Sequence, residues 1–130
     1  MTEETAYEGG CHCGSVRFRV TLDVSSLRAL DCDCSVCRKK GFVHAIVPPE
    51  SFELLRGAEA LTEYRFGTRV AVHLFCSTCG VHPFYTPRSH PDHVDINLRC
   101  LDEDLLDVVT VEPFHGRDWE RHVASIRDEP

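Results

Sequence analysis

The chain has 130 residues, a formal charge of −7, 42% hydrophobic residues and 27% charged residues. That length fits a single domain over 1–130, and the composition is that of a folded chain, not a disordered one. No apolar run approaches the ~18 residues of a membrane-crossing helix, the acidic opening MTEETAYEGG does not read as a secretory signal, and the negative balance argues against generic nucleic-acid binding. The expectation is a cytoplasmic chain without membrane or nucleic acid as partner, its oligomeric state not readable from composition.

Taken in chain order, the pattern is mainly β. SVRFRVTL (15–22) alternates, with Val16, Phe18, Val20 and Leu22 on one face. HAIVP (44–48) and FELLRG (52–57) read as short strands, and LTEYRFG (61–67) as a less regular one. RVAVHLFC (69–76) puts Val70, Val72 and Leu74 on one face and runs straight into a cysteine pair. HPFYT (82–86), HVDINLRC (93–100) and DVVTVE (107–112) complete the expected strands. Helical turns are expected at 35–39 and 102–107. A short C-terminal helix is expected over 117–127, where Asp118 can cap and Trp119, Val123 and Ile126 share a face.

Eight cysteines in a chain of this kind point to metal or catalysis before disulfides. Cys11 and Cys13 form C-x-C; Cys32, Cys34 and Cys37 form C-x-C-x-x-C; Cys76 and Cys79 form C-x-x-C; Cys100 stands alone. Gly14 and Gly80 follow the second cysteine of their pairs. A glycine there lets the chain turn through positive φ and aim amide N–H groups at sulfur. CHCG and CSTCG therefore read as two halves of one four-cysteine zinc site, closing the 62 residues between Cys13 and Cys76.

The triple is one ligand short. Cys100 would close it, whereas water or substrate in the fourth position would make it an open, catalytic zinc. An iron–sulfur cluster on the triple plus Cys100 is a further reading, although the spacing departs from the common ferredoxin pattern. Zinc on three thiolates is a soft centre of net charge about −1, suited to binding a substrate thiol. Arg38 and Lys39, with Lys40 after them, are candidates to hold substrate carboxylates, or else ordinary surface charges. His44 and His82 are candidates for acid or base, or for structural roles. His12, between two proposed ligands, is expected to face away from the metal, and His90 and His93 to lie exposed in the loop PRSHPDH.

Together, GGCHCGSVRFRV, CDCSVCRKKG, FCSTCGVHPFYTPRSHPD and NLRCLD resemble the glutathione-dependent formaldehyde-activating enzyme family, to which centromere protein V belongs. RSHPDHVDINLRCLDED and FHGRDWE look most like the centromere protein V branch. The resemblance runs from about Gly9 to Trp119. It implies several small coiled, mostly antiparallel sheets of β-tent type organised around zinc, with two Zn2+ per chain. Cys11, Cys13, Cys76 and Cys79 match the structural ligands, and Cys32, Cys34 and Cys37 match the catalytic triple. The implied reaction adds glutathione to formaldehyde to give S-hydroxymethylglutathione, formally a carbon–sulfur lyase in reverse. Rival readings are a non-catalytic zinc-stabilised binding module with a closed second site, a thiol redox switch that sheds zinc under mild peroxide, and, disfavoured by charge, a nucleic-acid module.

Overall fold

The computed structural model describes residues 4–67, 69–116 and Val123. Ten strands occur among them: β1 (Thr5–Gly10), β2 (Arg17–Leu22), β3 (Arg28–Cys32), β4 (Val43–Val47), β5 (Phe52–Arg56), β6 (Leu61–Tyr64), β7 (Val72–Cys76), β8 (Phe84–Thr86), β9 (Val94–Asn97) and β10 (Thr110–Phe114). One short helix, α1 (Ser35–Lys40), follows β3. β1, β2 and β5 form a small antiparallel sheet in the order β1-β2-β5. The other seven form a sheet in the order β10-β3-β4-β9-β8-β7-β6, antiparallel except where β10 lies parallel to β3. The mainly β expectation holds.

Alternation along the strands sets what lies between the sheets. Phe18, Val20 and Leu22 of β2 pack in one core with Ala45 and Val47 of β4, Phe84 of β8 and Ile96 of β9. Phe18 sits 5.6 Å from Phe52 and 5.7 Å from Phe84, ring centre to ring centre. Phe84 pairs with Ile96 and Ile96 with Ala45, so these core residues share the inner face of the large sheet.

The outer face differs. Register carries it from Phe114 through Cys32 and Leu30 to His44, then to Asp95 and Asn97, Tyr85 and His73. The four buried polar side chains among the described residues, His44, His73, Asp95 and Asn97, all lie on this face. Asn97 is accounted for structurally. Its Oδ1 accepts from the amides of Val43 and Arg99, and its Nδ2 donates to the His82 carbonyl. The other three are the groups a functional reading must explain, because burying a polar group without need is unfavourable.

Two strands fall outside the sequence expectation. TAYEGG is largely polar and becomes β1 only by pairing along the whole of β2. RALDC becomes β3 between β10 and β4. β10 begins three residues later than the expected DVVTVE strand because the preceding turn is longer: the amides of Val108 and Val109 both bond the Leu105 carbonyl. HVDINLRC is a strand only to Asn97, and Leu98–Cys100 is a 3-10 turn. The helix expected over 117–127 lies outside the described residues except for Val123, which is buried beside Leu30, Cys37 and Phe114. No helix among the described residues is long and apolar enough to cross a membrane.

Candidate metal centres and the cavity beside them

The two outer cysteine pairs meet although far apart in sequence. The sulfurs of Cys11, Cys13, Cys76 and Cys79 all lie within 4.8 Å of one another. Cys13 Sγ is 3.6 Å from Cys11 Sγ and 3.7 Å from Cys76 Sγ. Four thiolates at about 2.3 Å from a tetrahedral zinc would be separated by roughly 3.8 Å, so the donor set fits such an ion. Gly14 and Gly80 adopt φ of 85° and 78°, as each cysteine turn requires. The amides of Val16 and Thr78 donate to Cys11 Sγ and Cys76 Sγ, the kind of outer contact that orients a thiolate ligand. His12 is exposed, in line with a side chain turned away from the ligands.

Cys32, Cys34 and Cys37 form a second group, again with all sulfurs within 4.8 Å of one another. Cys32 ends β3, and Cys34 caps α1 by accepting the Cys37 amide at 3.4 Å. Gly41 closes the helix in the left-handed conformation. The three thiols compete for charge. Hydrogen bonding with Cys34 leads in pushing Cys32 up to about 11, contact with Cys32 and Cys34 drives Cys37 far above its ordinary range, and contact with Cys32 leads in holding Cys34 low. A bound divalent cation would relieve that conflict, so the donor chemistry fits a metal ion here too.

No fourth ligand atom among the described residues joins the triple within that 4.8 Å limit. Cys100 sits elsewhere, its Sγ 3.6 Å from the His82 carbonyl, and burial together with the charges of Cys11 and Cys79 pushes it up to about 12. Gly116 packs so close that a Cβ there would stand 2.3 Å from Cys32 Sγ and 3.1 Å from Cys34 Cβ. Gly116→Ala is therefore expected to displace Cys32 and lower bound metal by about one ion per chain. Metal analysis of the purified variant checks this, and undiminished metal would mean that the loop gives way instead.

The triple opens onto a cavity of about 420 Å³. Its walls include Leu30, Ile46, Phe66 and Phe114, and its polar groups include His44, Asp95, Tyr85, His73 and Arg88. His44 Nδ1 is 2.7 Å from Asp95 Oδ2, and the Tyr85 hydroxyl is 3.4 Å from the same nitrogen. Burial raises the Tyr85 phenol well above its usual range. His73 stacks on Tyr85 at 4.7 Å with the rings nearly parallel. Burial, then the Lys40 charge, brings His73 down to about 4, so it is neutral near pH 7 and its Nδ1 can accept from Lys40 Nζ at 2.9 Å. Burial also lowers Lys40, whose ammonium lies over the Phe42 and Tyr85 rings.

Arg38 and Lys39 are exposed and do not line this cavity. Lys39 borders a second concavity, with Lys40, Phe75 and His82, that adjoins the first through Ser35, Val36 and Phe66. His90 and His93 are half-buried, not fully exposed, and their rings meet edge to face at 5.1 Å. Asp95, Tyr85, His73 and Arg88 line the cavity although none of them belongs to a cysteine motif. A signal was present for His73 and Asp95: VHLFC and VDIN each place a titratable residue where the alternation turns away from the apolar face.

A mainly antiparallel β frame that gathers one group of four thiols and one of three defines a small β protein whose cysteine groups could each hold a metal ion. The family model for glutathione-dependent formaldehyde-activating enzyme matches residues 6–115, and the chain belongs to that family. A curated Halomonas elongata protein described as "Putative glutathione-dependent formaldehyde-activating enzyme" is 30% identical over 106 residues, which cover 75% of this chain and 67% of that protein. The crystal structure of a Rhodobacter sphaeroides protein is 40% identical, superposes with a TM-score of 0.72, and matches 82% of this chain and 97% of its own.

Proposed function

We propose that the protein adds a small thiol to an aldehyde and reverses that addition, with glutathione and formaldehyde, the pair in its family's description, as the substrates. The observation that carries this reading is the triple itself: three sulfurs gathered beside a cavity, with no fourth ligand atom among the described residues. In this reading Zn2+ occupies both groups, structurally at Cys11, Cys13, Cys76 and Cys79 and catalytically at Cys32, Cys34 and Cys37. Zinc bound to the triple would supply an open position that favours a substrate thiol in its thiolate form.

The chain's own residues do the rest. Leu30, Ile46, Phe66 and Phe114 form an apolar wall that keeps water from the reacting carbon. Arg88, inside the cavity, is the cation best located to meet a substrate carboxylate. Lys39 serves that purpose for a substrate that extends into the adjoining concavity, whereas Arg38 lines neither concavity. In the reaction one S–C bond forms, the carbonyl π bond breaks, and the thiol proton ends on the new hydroxyl oxygen. The reverse direction is a carbon–sulfur lyase reaction. Eight free cysteines suit a reducing compartment such as the cytoplasm, where thiols persist as ligands.

Exchange NMR with 13C-labelled formaldehyde and glutathione tests this directly. The free aldehyde hydrate and the adduct interconvert without a catalyst, so the expected result is an exchange rate that rises in proportion to metal-loaded protein. A rate unchanged by the protein would sink the proposal and favour the non-catalytic scaffold.

A further inference from the structure

We propose that His44 carries the proton between thiol and aldehyde oxygen, with Asp95 as its positioning residue; this rests on the thiol–aldehyde reading above. His44 is 3% exposed and Asp95 1%, and the two are joined at 2.7 Å through Nδ1 and Oδ2. With the Asp95 carboxylate accepting, Nδ1 carries the hydrogen and Nε2 is the nitrogen left with a lone pair. That Nε2 is buried without a protein partner, as is Asp95 Oδ1. A buried ring nitrogen left without a partner is uncommon. Among the described residues His44 Nε2 and His82 Nδ1 are two such atoms, and of the two histidines only His44 lines the same cavity as Cys32, Cys34 and Cys37.

The surrounding groups are consistent with that role. Asp95 and Asn97 come from β9, Tyr85 from β8 and Cys32 from β3, while the Phe42 ring lies 4.6 Å from the imidazole. Two cations are close by: Lys40 of α1 sits over the Phe42 and Tyr85 rings and bonds His73, and Arg88 lines the same cavity. Asp95 is the carboxyl group that meets the imidazole directly, at 2.7 Å. His44 does not belong to the set of ligand atoms gathered at the triple.

The step balances without an oxidant or reductant. The S–H proton of the substrate passes to Nε2 as the thiolate forms, and Asp95 offsets the imidazolium charge. Sulfur then bonds to the carbonyl carbon, the π electrons move onto oxygen, and the Nε2 proton follows them. His44 ends neutral, and no proton enters or leaves solvent.

Proton counting tests this apart from turnover. Glutathione is titrated calorimetrically into the zinc-loaded protein near pH 7.5, in two buffers of different ionisation heat, where a free thiol is mostly protonated. The wild type is expected to bind with close to zero protons released, and His44→Gln with about one per thiol bound. The variant is expected to keep the wild-type zinc content and to lose adduct exchange about a hundredfold or more. Wild-type binding that releases about one proton overturns the role of His44 but leaves the thiol site standing. Wild-type protein that binds no thiol overturns both. Loss of one zinc from His44→Gln overturns the proposal by making the residue a ligand. Should that variant not fold, the wild-type count still decides, and Asp95→Asn is expected to raise the protons released.

Discussion

Cys76→Ser is expected to abolish cooperative unfolding at temperatures where the wild type is folded. Cys76 is fully buried at the end of β7, paired opposite Leu61 of β6. Its sulfur lies 3.7 Å from Cys13, across 62 intervening residues. Structural zinc contributes about 10–16 kcal/mol to the folding of small zinc-dependent peptides. A whole domain is stable by only about 5–15 kcal/mol. If zinc binds here as proposed, its contribution is comparable with the whole margin, and serine, a poor zinc ligand, does not restore what the lost thiolate supplied. Thermal melts followed by circular dichroism, with zinc measured on the same sample, check the result. A cooperative melt within about 5 °C of wild type, roughly 1 kcal/mol for a chain of this size, would show that these four cysteines do not staple the fold.

Cys34→Ser is expected to do the opposite: keep the fold and lose the chemistry. Cys34 caps a six-residue helix through its sulfur, and serine is itself a favourable cap, so α1 has what it needs to form. The main core between the sheets does not include Cys34. The expected outcome is about one zinc fewer per chain, a melt close to that of wild type, and adduct exchange reduced to the uncatalysed rate. Full exchange activity in a variant lacking that zinc would move the reaction centre away from the triple. The pair of variants separates the proposed structural role of one cysteine group from the proposed reactive role of the other, and neither variant does so alone.

The glutathione question turns on where the substrate's charges go. Sequence neighbours of the triple drew attention to Arg38 and Lys39, but a helix turns about 100° per residue, so residues adjacent in sequence face different ways. Lys40, three residues after Cys37, is the one whose position returns to the same side. It bonds His73 and lies over Tyr85, both of which line the cavity. Arg88 reaches the same cavity from the loop after β8.

How much could be read in advance follows from the range of each constraint. C-x-C and C-x-x-C spacings with a following glycine are local rules of metal binding, visible wherever they occur, and both cysteine groups assemble along the divisions their spacing indicates. β2 and β7 announce themselves through alternation and β4 as a short strand-like run, and each has a face that meets the core. β1 and β3 carry weak local patterns and exist by pairing with neighbours already in place. The parallel contact of β10 with β3 joins segments some 80 residues apart, and no local pattern encodes such a partner.

The grouping of the cysteines and the mainly β character follow from residue type and short spacing, whereas the place of Cys100, which could have completed the triple, follows from the fold, which puts it beside the His82 carbonyl. Only the tertiary structure decided that the short group opens onto a cavity. It alone brought His44 to Asp95 across 51 positions and Lys40 to His73 across 33. The physical reason lies in the sheet order. β4, β9, β8 and β7 stand side by side, so polar residues from all four strands join one row on the face turned away from the core, and a row of that kind is a property of pairing, which no single strand contains.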